Sequence, residues 1–253
     1  MTNGFNSREM MAVAGARELK NGEVIVVGLG LPQVSSILAK YTHAPDIHIV
    51  LEIGVIDPKP EHPAVGIADP RIWLNATYYT SFIGTLGNLL HRGVVDVGFL
   101  GALETDCHGN INTTWALDGT GRRHFTGSGG ANDIASLAKR TIIVMRHEKR
   151  KLAEKVKFIT SPGFLNGGSS RVEAGLTTGG PSRIITDKCV FSFSDGTAVL
   201  SSIHPGIRLE EVTQHTAFSF RVPDPVPVTQ PPAIEELRLI REVIDPTRMY
   251  TGD

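Results

Sequence analysis

The chain has 253 residues, 41% of them hydrophobic, enough for one large α/β domain or two small ones with a real core. Its 25 Lys and Arg nearly balance 26 Asp and Glu, so it lacks both the basic field that wraps a polyanion and a strongly acidic face, and nucleic acid is not an expected partner. Cys107 and Cys189 lack CxxC or zinc-ligand spacing, and neither a basic-then-apolar leader nor a membrane-length apolar run is present; the expectation is a soluble protein of the reducing cytoplasm, with no metal and no membrane partner.

Asn6 or Ser7 caps a helix over about 8–19, whose apolar face is Met11, Val13, Ala14, Ala16 and Leu19 and which Asn21-Gly22 stops. A strand over 23–27 turns through Gly28-Leu29-Gly30-Leu31-Pro32 into a helix over 33–40. The next strand, 47–54, is an Ile- and Val-rich run that ends in a single carboxylate, Glu52, followed by Ile53 and Gly54. Ligands gather beyond the carboxyl ends of such strands in open α/β sheets, which places Glu52 at the rim of a crevice. By residue type alone, a Glu that caps a helix or pairs with an Arg fits equally well. The Gly28-x-Gly30 turn with an acid about twenty residues on imitates a dinucleotide fingerprint. Gln33, directly after Pro32, stands where the third glycine is required, and nicotinamide binding is not expected.

Residues 55–80 are rich in Pro and Asp and read as a long excursion over the mouth of the sheet. A helix over 81–91 and a strand over 95–100 follow. In the polar stretch 106–113, Cys107 beside His108 suggests a thiol nucleophile, but neighbours in a tight turn point apart, and a structural turn at Gly109 is the better reading. Phe125-Thr126-Gly127-Ser128-Gly129-Gly130-Ala131-Asn132 is a glycine-rich loop leading into a helix and a strand over 141–145. Its backbone N–H groups suit a phosphate, a carboxylate or a developing oxyanion, and a loop that merely reverses the chain fits as well. The P-loop lysine is missing, since Ala131 and Asn132 follow Gly130. Residues 147–151 read as a solvated charged segment, and Glu148 lacks the second His of a zinc-protease helix. A flexible stretch spans 162–181; antiparallel strands follow at 183–186, 190–193 and 198–203, then a short helix at 209–216, a proline-rich tether at 223–232 and an amphipathic helix at 233–244. No repeat or clean linker divides the chain, and residues 1–253 read as a single domain.

Taken together, Arg8-Glu9-Met10-Met11, Val26-Val27-Gly28-Leu29-Gly30-Leu31-Pro32, Ala44-Pro45-Asp46, Glu52-Ile53-Gly54, Gly109-Asn110-Ile111-Asn112, the Phe125-to-Asn132 loop, Thr160-Ser161-Pro162-Gly163 and Ile240-Arg241-Glu242-Val243-Ile244-Asp245-Pro246 carry a specific likeness. Nearly end to end, the chain resembles the beta (B) subunits of class I coenzyme A transferases, above all those of the glutaconate and 3-oxoadipate CoA-transferases. The resemblance implies an α/β fold with an open mixed, largely parallel sheet flanked by helices and an antiparallel C-terminal portion. It implies that Glu52 is the nucleophile and that Gly127, Ser128, Gly129 and Gly130 form the loop supplying oxyanion N–H groups, each donor worth about 3 kcal/mol in a water-free site. It also implies a separate alpha (A) subunit, a shared active site and a heterotetramer. It implies, too, that no cofactor is permanently bound and that a CoA thioester is the substrate, together with a carboxylic acid acceptor. Ile53 departs from the Ser or Asn usual beside the nucleophile. Two other readings stand beside transfer: an acyl-CoA hydrolase or decarboxylase on the same fold, and a non-catalytic partner subunit.

Overall fold

The computed structural model describes residues 4–59, 64–66, 69–118 and 121–252. They cluster into two compact units, residues 1–100 with 230–253 and residues 101–229.

In the first unit the strands are β1 (Val24–Val27), β2 (His48–Leu51), β3 (Val55–Ile56), β4 (Tyr78–Tyr79) and β5 (Val97–Gly101), in the spatial order β5-β1-β2-β3-β4. β1 runs parallel to both neighbours, with Ile25 opposite Ile49 and Val97. Ile25, Ile49 and Val97 are all buried, as expected of strands covered on both faces. β3 and β4 add antiparallel strands outside β2. The 55–80 segment, read as a long excursion over the mouth of the sheet, is in part packed: Val55, Ala64 and Ile72 form a buried cluster with Leu51. Gln33 shows why the fingerprint lacks its glycine, because its buried side chain accepts the Ala64 N–H at 3.2 Å and holds the returning segment. The helix expected at 81–91 is present as wider, π-helical turns over Ile83–Leu90.

Helix Ser7–Arg17 opens with a capping box in which Asn6 and Glu9 each accept the other's backbone N–H at 2.9 Å. The fully buried Glu9 carboxylate also receives Arg241 Nε and Nη2 at 2.7 and 2.8 Å, tying the first helix to the last one, Ile234–Arg238 continued as π-helical Leu239–Ile244. Burial alone raises the pKa of Glu9, but the Arg241 and Asn6 hydrogen bonds outweigh it and hold the carboxyl below its ordinary range. Asp245, also buried, closes the C-terminus by accepting the N–H groups of Met249, Tyr250 and Thr251 at 2.9, 2.9 and 2.8 Å.

The second unit carries two small ladders, β6 (Glu104–Thr105) with β7 (Ile111–Asn112) and β8 (Trp115–Asp118) with β9 (Gly121–His124). Its larger sheet comprises β10 (Arg140–Val144), β11 (Pro181–Ile185), β12 (Cys189–Ser194) and β13 (Thr197–Ile203). β10 and β11 are parallel, and β12 and β13 extend them as an antiparallel meander, the expected C-terminal portion. Phe191 is buried in the meander and meets the rings of Phe218 and Phe220 edge-on, at centroid distances of 5.6 and 5.1 Å.

Two loop readings change. His147, expected on a solvated segment, is buried; its Nδ1 lies 2.9 Å from Thr186 Oγ1 and its Nε2 3.0 Å from Thr216 Oγ1. The 162–181 stretch is organised by Arg171, whose buried guanidinium donates to the carbonyls of Gly163, Thr178 and Ala135 at 2.9, 3.0 and 2.8 Å. Neither residue lies in a periodic segment, so the pattern of hydrophobic residues carries no sign of burial.

Candidate active site

Glu52 stands immediately after β2, as the first residue of a three-residue hairpin loop, Glu52-Ile53-Gly54. Leu51 pairs with Val55 across its base, and the Gly54 N–H closes the turn onto Leu51 O at 3.0 Å. Gly54 has φ +99°, and a Cβ there would lie 2.2 Å from Thr80 O; only glycine lets the chain turn this tightly against the incoming 80–81 backbone. Thr80 N–H donates to Gly54 O at 2.8 Å and locks the approach. Ile53 packs on the cluster of Leu51, Val55, Ala64 and Ile72. The unexpected apolar residue beside Glu52 is therefore explained by packing beneath the turn, while Glu52 is half-buried.

The opposite end of this hairpin is fixed by charge. Asp57, buried, accepts Lys40 Nζ at 2.9 Å, His48 Nδ1 at 2.6 Å and the Ile49 N–H at 2.9 Å. Desolvation pushes its pKa up, but the bonds from His48, Lys40 and Ile49 prevail and keep it below the usual carboxylate range. Both ends of the β2–β3 hairpin are thus constrained, which fixes the position of Glu52 on a rigid element.

The glycine-rich loop belongs to the second unit. After β9, the Phe125 N–H donates to Thr114 O at 2.8 Å and the Gly127 N–H to Thr113 O at 3.0 Å, while Thr113 Oγ1 donates to Gly127 O at 2.8 Å. Ser128 then starts a tight turn in which its carbonyl accepts the Ala131 N–H at 2.9 Å, and helix Ala131–Leu137 follows. Gly129 is exposed, Gly127 and Ser128 are half-buried, and Ser128 Oγ donates to Gly129 O at 3.0 Å. Asn132 Nδ2 ties the helix start to Thr160 O at 2.7 Å.

Other motifs in this unit serve the fold. Asp106, buried, accepts the N–H groups of His108 and Asn110 at 3.0 and 3.1 Å. Asn110 Oδ1 receives the Gly163 and Leu165 N–H groups at 2.9 and 3.1 Å. Cys107 is half-buried, and burial first, then the Asp106 charge, pushes its thiol up, the wrong direction for a thiolate nucleophile. His108 Nδ1 lies 2.6 Å from Gly196 O. The turn reading of Cys107-His108 holds.

Two surfaces stand out, the first at the end of the 55–80 excursion. In the first unit Trp73, Tyr78, Tyr79, Phe82 and Ile83 are exposed around edge strand β4. In the second, a cavity beside the β8–β9 hairpin is lined in part by Arg123, Arg150 and Lys151. The cluster of aromatics inside a Pro- and Asp-rich stretch was the available signal for the first. The second brings together positions far apart in the chain and leaves no local signal.

A sequence profile of the family described as "Coenzyme A transferase" matches residues 8–215. The chain is 36% identical over 259 residues to the B subunit of glutaconate CoA-transferase from Acidaminococcus fermentans, covering 97% of this chain and 95% of that one. It is 38% identical over 240 residues to the B subunit of 3-oxoadipate CoA-transferase from Pseudomonas knackmussii, covering 94% and 92%. The crystal structure of the Acidaminococcus fermentans glutaconate coenzyme A-transferase superposes with a TM-score of 0.88 over 99% of this chain and 98% of that one, at 32% identity. The decarboxylase AibA/AibB shares the fold, with a TM-score of 0.83 at 24% identity over 97% of each chain.

Proposed function

The chain belongs to the coenzyme A transferase family, and on that premise we propose that it is the catalytic B-type subunit of an enzyme that moves CoA between carboxylic acids, with Glu52 as the covalent nucleophile. The observation that carries this reading is the placement of Glu52 at the head of a glycine-locked turn directly off a buried parallel strand.

A carboxylate attacks a thioester without a general base. Glu52 adds to the donor acyl-CoA carbonyl and expels CoA thiolate, leaving a mixed anhydride. The thiolate then attacks the Glu52 carbonyl of that anhydride, releasing the donor acid and forming a glutamyl-CoA thioester. The acceptor carboxylate attacks this thioester, forming a second anhydride and again freeing the thiolate, which takes the acceptor acyl group and restores Glu52. Thioester energy stays in a covalent bond throughout. Each addition puts negative charge on a carbonyl oxygen, and preorganised backbone donors stabilise it. We assign the loop of residues 127–130 to this role. Because the Gly127 N–H is engaged by Thr113, the donors are those of Ser128 and Gly129, with Gly127 and Gly130 shaping the loop.

The acyl group is a dicarboxylate such as glutaconate or 3-oxoadipate, as the names of the similar B subunits suggest. The partner is an A subunit, doubled with this chain to a heterotetramer. The aromatic surface around β4, with its adjoining cavity of about 420 Å³ lined by Ile56, Tyr78, Leu89 and Arg92, is assigned to that contact. Among the described residues no helix is long and apolar enough to cross a membrane; we place the enzyme in the cytoplasm, with no permanently bound cofactor. The test is mass spectrometry of the complex after incubation with acyl-CoA esters in the absence of acceptor, followed by borohydride. A modification mapping to Glu52 is expected; inactivation that leaves Glu52 unchanged overturns the assignment.

A further inference from the structure

Ala64, fully buried, is gripped through both of its backbone polar groups by side chains far from it in the chain. Its N–H donates to Gln33 Oε1 at 3.2 Å, from the first turn of helix Leu31–Tyr41. Its carbonyl accepts the Tyr250 hydroxyl, from 186 residues away. Both gripping residues are themselves fixed. The Gln33 side chain is buried, and the Gln33 N–H closes onto Gly30 O at 3.0 Å. The Tyr250 N–H donates to the buried Asp245 carboxylate at 2.9 Å, and the Tyr250 ring lies beside Gly30, where a Cβ would come within 3.9 Å of it. The C-terminal segment thus reaches back both to the turn in which β1 ends and to the segment that follows β3.

Ala64 is also one of the four residues, with Leu51, Val55 and Ile72, on which Ile53 packs. Leu29, from the turn after β1, packs on the same cluster. Val26 pairs with Val50, so residues 28–30 leave β1 at the level where Glu52 leaves β2. The two chain neighbours of Glu52, Leu51 and Ile53, therefore share a cluster in which Ala64 is clamped from both sides. We infer that Gln33 and Tyr250 are positioning residues for the reaction: by clamping Ala64 they fix the floor beneath the Glu52 turn and hence the aim of its carboxylate. The inference rests on Glu52 being the nucleophile. Each arm of the clamp is a single hydrogen bond, which adds little to the stability of the whole chain. A shift of about 1 Å at a reacting group costs up to a hundredfold in rate. Loosening the clamp therefore shows in catalysis before it shows in folding.

Tyr250→Phe tests this, because it keeps the ring beside Gly30 and removes only the donation to Ala64. In the complex, kcat per folded molecule is expected to fall about tenfold, with KM for the acyl-CoA unchanged and the thermal midpoint within a few degrees. Gln33→Met removes the other arm at similar volume and is expected to act in the same direction. Because both arms hold Ala64, the double variant should lose little more than the worse single one, whereas independent structural effects would multiply. Unchanged kcat in both single variants, or a multiplied loss in the double one, overturns the clamp. A loss confined to KM would put Tyr250 against the substrate and overturns it as well. The two readings fail separately. If borohydride modifies Glu52 in the unsubstituted complex while transfer is indifferent to both substitutions, the clamp falls and the nucleophile stands; if the unsubstituted complex transfers no CoA, the nucleophile reading falls and the positioning role with it.

Discussion

Two segments that mark this family equally well behave differently as physical objects. Around Asp106, Asn110 and Gly163 the polar groups turn inward. Asp106 is 2% exposed and Asn110 1%, and their side chains bind neighbouring N–H groups or each other. A Cβ on Gly163 would sit 2.3 Å from Gly109 C, so even the space between the two chain segments is filled. The Glu52 turn is held by other means. Backbone bonds at its base, the glycine clearance at 54 and the packing of Ile53 fix its shape. A motif's specificity therefore says nothing by itself about whether it serves stability or chemistry.

That contrast can be broken most decisively at Glu52. Glu52→Gln keeps size and hydrogen-bonding capacity and removes nucleophilicity, so kcat of the complex should fall about a thousandfold or more while the thermal midpoint stays within a few degrees. A folded variant that retains substantial transfer would return Glu52 to a structural role. The Asp106–Asn110 cluster should respond in the opposite sense. Asn110→Ala leaves the Gly163 and Leu165 N–H groups and the Leu165 carbonyl unpaired in a buried site, at a cost of about 3 kcal/mol in urea unfolding. Activity per folded molecule should change little, and a selective loss of kcat without loss of stability would abolish the distinction drawn here.

The buried His147 sharpens the comparison through pH. Burial lowers its pKa to about 4, against an ordinary 6.5, so the folded chain keeps it neutral where the unfolded chain protonates it. The unfolded state then binds more protons between those two values. Stability contributed by the neutral ring is full above about pH 6.5 and declines as pH falls toward 4, by about 3 kcal/mol over the window. His204 is shifted down by burial as well and acts in the same direction. Urea unfolding at pH 7 and pH 4.5 should show the decline, and His147→Gln should shrink it. An unchanged slope in that variant would move the acid sensitivity elsewhere.

Much of the fold was legible because it rests on local rules. The Val- and Ile-rich runs at β1, β2, β5 and β10, the Asn6 cap and the antiparallel strands after 181 follow from periodicity and end signals. Strands β3 and β4 were not legible. Each has two residues, too few for alternation to register, and their pairing depends on the turn at Gly54 and on the buried Ala64 and Ile72. His147 and Arg171 were missed for a related reason: burial of a single polar side chain is decided by partners 39 and 36 residues away, at Thr186 and Ala135. Glu52 was visible as a carboxylate closing an apolar strand, and the resemblance supplied its role; the hairpin that holds it was not visible.

The smallest expected effect separates two ways in which the glycine-rich loop can act. If Ser128 contributes through its hydroxyl, Ser128→Ala removes the contribution; if through its backbone N–H, alanine keeps it. The hydroxyl donates to the adjacent Gly129 carbonyl at 3.0 Å, a contact within the loop itself, while the neighbouring Gly127 N–H is already engaged by Thr113 at 3.0 Å. Main-chain donation therefore predicts that Ser128→Ala changes kcat by less than about threefold, since losing an oxyanion donor costs a hundredfold or more. Gly129→Ala provides the counterpart. Gly129 has φ +49°, so a side chain there costs about 1 kcal/mol of backbone strain and displaces the donor geometry, and kcat should fall more than in Ser128→Ala. A hundredfold loss in Ser128→Ala with Gly129→Ala nearly silent would make the hydroxyl the donor and leave the glycines only the task of turning the chain.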